Sequence, residues 1–578
     1  LCSAPGGRHA RLCDAPGDGW RLTIYRAGFT TPAWFRTGVM YQIFPDRFAR
    51  DSSATAQRGM EHHRRMGQTV HCHAGWDEPV EWQANTPEGE YAPVDFYGGT
   101  LRGIADRLHY LQKLGVTVLY LNPIFESASN HRYDTGDYRK VDPILGTNTD
   151  FKKLCAAAAD CGIRIVLDGV FAHTGADSRY FNRFRHYPGC GAYNSHSSVY
   201  ARWYSFAHYP DDYKCWWDFK DLPAVNAANP DWRKYMITGE RSIVKTWLRD
   251  GASGWRLDVA DELPDDVLRD LRTAAKQADP DSVLLGEVWE DAVTKVSYGA
   301  RRQYALGDAL DSVMNYPLRD GLVTFLTGRS TARALADLLL SQRLNYPRPL
   351  YYALMNLTAS HDVARTRSAL ALDFDPRSRT RAELAALEIT DAMAARGAQL
   401  QVLAAAVQFW LPGIPSIYYG DETGMQGLCD PFNRAPLQMC DTQMLQWYAQ
   451  LTALRHAHPA LTRGEVAVFA PAGDVLCVLR VIADSRDAFG EEAEDEALLL
   501  IVNRAAHPVR CHVELTCPGA GLCEETRLAF VRSEYDCAAD CTDDTHIAIR
   551  DGVGAFDLPP YAAKIYRLEN RHGTETGS

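Results

Sequence analysis

Seven residues with side chains suited to acid–base or nucleophilic work fall at the ends of apolar runs: Asp168, His173, Arg256, Asp258, Glu287, His361 and Asp362. Asp258, Glu287 and Asp362 are carboxylates on three different runs. One carboxylate ending one strand reads most simply as a helix cap or an ion-pair partner. Three that converge on one mouth are harder to explain that way. The chain has no glycine-rich phosphate loop and no paired cysteine motif. In that setting, converging carboxylates suit cleavage of a glycosidic bond. That reaction needs an acid to protonate the leaving oxygen and a carboxylate to attack or stabilise the oxocarbenium-like centre. Arg256 stands two residues before Asp258, so on a strand both side chains leave the same face, and its charge would hold that Asp ionised.

These residues need a scaffold that brings strand ends together. β-branched and apolar runs at 39–44, 117–121, 163–170, 254–258, 283–287, 312–316, 355–360 and 414–419 alternate with helical patterns such as 104–114, 151–161 and 267–278. Eight strands with intervening helices predict an α/β fold, a (β/α)8 barrel with insertions over residues 34–461, whose active residues sit at the carboxyl ends of the strands. The longest irregular stretch, 173–230, follows the third strand and is expected to be an inserted domain. Of the 48 residues from His173 to Lys220, 14 are Phe, Tyr or Trp. Such rings either form the small core of a lid or serve as platforms for apolar sugar faces. After about residue 461 the pattern becomes short alternating runs at 475–481, 498–503, 509–515 and 562–568, which predicts a C-terminal antiparallel β-sandwich over 462–578. Residues 1–33 are too few for a domain and read as the tail or linker of a truncated β-domain.

Composition excludes several classes. Among 578 residues, 61 Lys and Arg face 73 Asp and Glu, a formal charge of -12 that disfavours a nucleic-acid partner. No apolar run approaches the roughly 20 residues of a membrane span. The 15 cysteines are scattered from Cys2 to Cys541. They read mostly as reduced thiols in a cytoplasmic setting, with a disulfide or two conceivable between Cys511 and Cys541.

Four segments, DGVFAH (168–173), GWRLDVADE (254–262), GEVWE (286–290) and SHD (360–362), with a fifth, LPAVN (222–226), appear in order on the expected strands. Together they resemble the signature of glycoside hydrolase family 13, the α-amylase family, from about Trp34 to Leu461. The resemblance implies that Asp258 is a nucleophile, Glu287 a general acid/base and Asp362 a transition-state stabiliser. It also implies that His173 and His361 bind the sugar in subsite −1, that Tyr133 stacks under it, and that Arg256 orients the nucleophile. YQIFPDRF (41–48), DFYGGTL (95–101), NPIFESASNHRYDT (122–135) and PGIPSIYYGDE (412–422) are similar to neopullulanases, cyclomaltodextrinases, maltogenic amylases and amylopullulanases. In that group Asp430 and Arg434 would contact subsite −2. Trp289 would contact substrate, and Asp261 and Glu262 would border subsites +1 and +2 as a polar wall on the aglycone side.

What the resemblance implies is a retaining hydrolase acting on α-1,4 and α-1,6 links of an α-glucan oligosaccharide or polysaccharide, as monomer or homodimer, with no nucleic-acid or membrane partner. A transglycosylase would use the same covalent intermediate. An inactive carbohydrate-binding barrel would be expected to have lost a triad member, and none is lost. Three positions depart from the family pattern. Ala172 replaces an Asn and Glu262 a His that hold a structural calcium in relatives, and Thr100 replaces an Asp of a second calcium loop. No cofactor is expected to be required, and a structural calcium would lack these ligands.

Overall fold

The computed structural model describes residues 22–87, 89–515 and 552–568, together with the short segments 2–3, 10–11, 526–530, 546–549 and 569–570. Eight parallel strands form one sheet: β1 (Met40–Ile43), β2 (Val118–Leu121), β3 (Arg164–Gly169), β4 (Gly254–Leu257), β5 (Val283–Gly286), β6 (Ser312–Val313), β7 (Met355–Leu357) and β8 (Ile414–Tyr418). Their order around the sheet is β6-β5-β4-β3-β2-β1-β8-β7. A single parallel bridge, Met314 to Met355, joins the two ends and closes the barrel.

Period-two alternation explains how the strands serve two cores at once. Met40, Val118, Tyr120, Val166, Val283, Leu285, Met314, Met355, Leu357 and Ile414 pack inside the barrel. Tyr41, Leu119, Leu121, Ile165, Leu167, Trp255, Leu257 and Leu284 face outward into the larger core under the helices. The inward parity, followed to the carboxyl ends, passes from apolar to polar: Gln42, Asn122, Asp168, Arg256, Asp258 and Glu287.

The expected helices form with shifted ends. The stretch at 104–114 is two helices, Leu101–Asp106 and Leu108–Lys113, which meet at Arg107. The next runs Asn148–Asp160 and starts three polar residues earlier than its apolar pattern, on a Thr147/Asp150 capping box.

In the insertion after β3, ring contacts knit Phe181 to Tyr193, Tyr204, Phe206 and Tyr213. A second group stacks Tyr180, Tyr200, Trp203 and Tyr235. Most of the aromatic surplus is therefore a small core, whereas Phe184, Trp217 and Phe219 are exposed. The LPAVN segment is a backbone staple: the Val225 N–H donates to the Ala172 carbonyl at 2.9 Å and the Thr174 N–H to the Pro223 carbonyl at 3.2 Å. This ties the insertion to the rim beside His173.

Beyond the barrel, β9 (Glu465–Ala472), β10 (Val475–Ile482), β11 (Glu496–Asn503), β12 (Val509–Glu514), β13 (Thr526–Phe530), β14 (His546–Ala548), β15 (Val553–Leu558) and β16 (Ala562–Asn570) build an antiparallel unit. The six-stranded sheet runs β9-β10-β11-β16-β13-β14, and β12 pairs with β15. Val475, Cys477, Leu479, Leu499 and Ile501 meet Val513, Phe556 and Leu558 between the two sheets. The alternate residues Leu476, Val478, Leu498 and Leu500 join the barrel-side core. Strands β9, β13, β14 and β15 lie outside the runs expected from sequence.

Residues 22–33 lie along the barrel, with Phe29 buried and the Thr31 hydroxyl donating to the Pro349 carbonyl. Most of the remaining N-terminal segment lies outside the described residues. Cys511 is a buried free thiol, and Cys517, Cys523, Cys537 and Cys541 lie outside the described residues. Among the described residues no helix is long and apolar enough to cross a membrane.

Candidate active site

Strand register sets the centre. Leu257 pairs with Gly286 on one side and Gly169 on the other. Asp258 and Glu287 therefore leave the sheet side by side. Arg256 stands opposite Asp168 in the same register. Its guanidinium, fully buried, meets three carboxylates. Nη1 contacts Asp168 Oδ1 and Asp258 Oδ1, each at 2.8 Å, and Nη2 reaches Glu287 Oε2 at 2.7 Å. Arg256 meets Asp258 as expected, and its one positive charge is also divided with Asp168 and Glu287. Burial pushes the Asp258 carboxyl well above its ordinary range; Arg256 opposes that rise, while Glu287 and Asp168 add to it. Burial also raises Asp168, against Arg256 and the donors Tyr120 and Tyr133.

Donors surround Glu287. Its Oε2 accepts the Val259 N–H at 2.8 Å and its Oε1 the Trp289 indole N–H at 3.0 Å. Trp289 stacks on Tyr316, ring centroids 3.9 Å apart and planes 4° from parallel. The Tyr316 hydroxyl in turn donates to Asp362 Oδ2 at 3.0 Å. This stack joins the ends of β5 and β7. Asp362 also faces His361, whose Nε2 lies 3.1 Å from its Oδ1.

Tyr133 is a hub. Its hydroxyl donates to Asp168 Oδ2 at 2.8 Å, lies 2.6 Å from His361 Nε2, and accepts from Asn122 Nδ2 at 2.9 Å. The two rings are nearly parallel, with centroids 5.3 Å apart. His361 is held well below the usual imidazole range by burial, with Arg256 and Arg434 adding to the shift. Burial lowers His173 to about 4. Both its ring nitrogens are buried without a protein partner, an arrangement suited to hydrogen-bonding a ligand.

The structure brings Asp168, Arg256, Asp258, Glu287, Trp289, Tyr133, His361 and Asp362 into one connected network. Arg434 extends it: Nη2 donates to the His361 carbonyl at 3.0 Å and Nη1 pairs with Asp430 at 2.7 Å. Asp261 and Glu262, expected as a polar wall, are engaged within the protein. Asp261 pairs with Lys295 at 3.0 Å and accepts the Tyr304 hydroxyl, and Glu262 accepts the Tyr298 hydroxyl. Their oxygens are engaged by a hairpin, Val296–Ser297 with Ala300–Arg301, and by the residues flanking it. Gln42, Asn122 and Tyr316 were missed. The signal was present, since each shares the inward parity of its own strand or strand extension.

The calcium positions do not form a cage. Ala172 has no side-chain oxygen. Thr100 donates to Asp51 at 3.2 Å and accepts the Gly103 N–H as a helix cap. Among the described residues no group of three or more His, Cys, Asp or Glu side chains is placed to hold a metal ion.

The family described as "Alpha amylase, catalytic domain" matches residues 42–439. An amylopullulanase of Thermoanaerobacterium saccharolyticum is 35% identical over 552 residues, 88% of this chain and 41% of its own length. The chain thus spans about two fifths of that relative. A cyclomaltodextrinase of Geobacillus thermopakistaniensis is 32% identical over 94% of this chain and 79% of its own. Among solved structures, the type III pullulan hydrolase of Thermococcus kodakarensis superposes with TM-score 0.69 at 26% identity, covering 93% of this chain and 83% of its own. The cyclic α-maltosyl-(1→6)-maltose hydrolase of Arthrobacter globiformis gives 0.67 at 28% identity, covering 93% and 100%. Barrel, carboxylate network and these matches agree that the chain belongs to the α-amylase family.

Proposed function

We propose that the protein is a retaining α-glucan hydrolase that cleaves α-1,4- and α-1,6-glucosidic bonds in maltooligosaccharides, starch, pullulan or cyclodextrins. The observation that carries this reading is the single guanidinium of Arg256 shared by Asp258 and Glu287 at 2.8 and 2.7 Å. A shared cation keeps two carboxyls at short range, and double displacement requires about 5–5.5 Å between them. Double displacement assigns the proton to Glu287 as the acid and the attack to Asp258 as the nucleophile. Glu287 then protonates the glycosidic oxygen as Asp258 attacks the anomeric carbon, which breaks the C–O bond and forms a glycosyl ester. Water, deprotonated by Glu287, attacks the anomeric carbon and breaks its bond to Asp258, which leaves as a carboxylate while Glu287 regains its proton. Asp362, oriented by Tyr316, faces the charge that develops on the sugar. His173 and His361 hold the sugar's hydroxyls, and Asp430 and Arg434 border the next sugar.

Proton NMR of a fresh maltotriose digest tests this. The α-anomer should appear first, whereas initial β-anomer would rule out double displacement. Product analysis at high maltooligosaccharide concentration separates hydrolysis from glycosyl transfer.

A further inference from the structure

Gln42, the penultimate residue of β1, turns its side chain into the barrel mouth and is fully buried. Its Nε2 lies 3.0 Å from Asn122 Oδ1 and 2.9 Å from His361 Nδ1. With Asn122, Tyr133 and His361 it forms a closed ring of hydrogen bonds, and the chemistry of Asp168 dictates every direction in that ring. Asp168 accepts from Arg256 Nη1, the Tyr120 hydroxyl and the Tyr133 hydroxyl, as an ionised carboxylate does. The Tyr133 proton is therefore committed to Asp168. The Tyr133 oxygen must accept from both Asn122 Nδ2 and His361 Nε2. Asn122 consequently presents Oδ1 to Gln42, and Gln42 must answer with its amide nitrogen. Reversing the Gln42 amide would set two oxygens against each other. Its second amide proton then falls on His361 Nδ1, leaving the Gln42 Oε1 buried without a partner.

We infer that Gln42, through this ring with Asn122 and Tyr133, is a positioning residue that fixes His361 as the neutral tautomer with its proton on Nε2, directed at the Tyr133 oxygen beside Asp362. A histidine with both sides open would exchange tautomers, and part of its population would present no donor at Nε2. Here Nδ1 is occupied by a donor, so that alternative is blocked. Asp362 Oδ1 stands 3.1 Å from Nε2, and the Arg434 guanidinium caps the His361 backbone carbonyl. Arg256, Glu287 and His131 complete the charged and titratable surroundings of the ring. The ring is independent of the reaction proposed above; only its effect on turnover rests on that reading.

Neutron diffraction from a deuterium-exchanged crystal of the intact protein reads the tautomer directly. A single deuteron on His361 Nε2 is expected, with both Gln42 amide deuterons resolved toward Asn122 Oδ1 and His361 Nδ1. A deuteron on Nδ1 would overturn the inference whatever the activity. Two substitutions read the consequence. Gln42→Met removes the donor, and kcat should fall about 10- to 100-fold with a smaller change in KM, as expected for a misaimed polar group. Gln42→Glu offers His361 Nδ1 an acceptor and favours the doubly protonated ring, so its kcat–pH profile should gain an ionisation absent from both wild type and Gln42→Met. Profiles of the two variants that superimpose on wild type, with kcat within about twofold, would equally overturn it.

Discussion

Val259 donates its backbone N–H to Glu287 Oε2 at 2.8 Å from a left-handed conformation, φ +38° and ψ +60°. A β-branched residue is disfavoured there by roughly 1–2 kcal/mol, because its Cβ crowds the following carbonyl. The strain sits one residue after Asp258 and turns an amide toward the neighbouring strand's carboxylate. Val259→Gly should leave the melting temperature within about 2 °C of wild type or raise it, because relieved strain offsets the added freedom of the unfolded chain. The same change should lower kcat several-fold, because the amide is no longer held on Glu287. A variant that loses stability while keeping full kcat would show that this turn serves the fold alone.

Asp258→Asn and Glu287→Gln each preserve shape while removing, respectively, the attacking group and the proton donor. Positioned acid–base groups contribute about 10²–10⁴-fold and a nucleophile more, so kcat should fall at least about a thousandfold in each. Circular dichroism should show both folded. More than a tenth of wild-type activity in either would overturn the assignment.

Much of this arrangement was legible in residue order. All eight barrel strands lie within the apolar runs, because a parallel strand buried on both faces is marked by continuous hydrophobicity. The carboxylates were visible as polar endings to those runs. What sequence could not reveal was sharing. Arg256 looked like the partner of Asp258 because spacing along one strand is legible, whereas its contacts with Asp168 and Glu287 depend on the register between three strands. Asp261 and Glu262 read only as a polar wall because their partners Lys295, Tyr304 and Tyr298 lie more than thirty residues away on another loop. Strand β9 was missed because its outer residues are only half-buried, which blunts the alternation.

Asp134, next to Tyr133, is half-buried and bonded to Ser129; desolvation, reinforced by Asp177, raises its carboxyl to about 7. The folded protein therefore keeps a proton that the unfolded carboxyl, near 3.8, has released. Stability is lost as pH rises from about 4 to 7, by on the order of 4 kcal/mol if no other group compensates. Asp134→Asn removes that dependence. Its melting temperature relative to wild type should rise by several °C between pH 4.5 and pH 8. A constant difference between the two proteins across that range would mean that Asp134 stays ionised in the fold.

Calcium needs six to eight oxygen ligands. Ala172 supplies no side-chain oxygen, and the Thr100 hydroxyl and Glu262 Oε1 are engaged within the protein. Treatment with EDTA should leave both activity and melting temperature nearly unchanged. A fall of more than about 10 °C on chelation would reveal a bound metal that contributes several kcal/mol through linkage.

The barrel is a clasp rather than a hoop. Every other pair of neighbouring strands shares at least two register positions, whereas β6 and β7 meet through the lone Met314–Met355 bridge. Side chains reinforce that seam: Asn315 Nδ2 reaches Asn356 Oδ1 at 3.0 Å, and Tyr316 reaches across to Asp362. Asp258 and Glu287 stand on one side of the split and Asp362 on the other. A sugar gripped between Glu287 and Asp362 would act as a rivet across the ring's weakest joint. Occupancy of the mouth and closure of the cylinder would then be two readings of one equilibrium, with amide exchange at Asn315 slowing as the rivet is set.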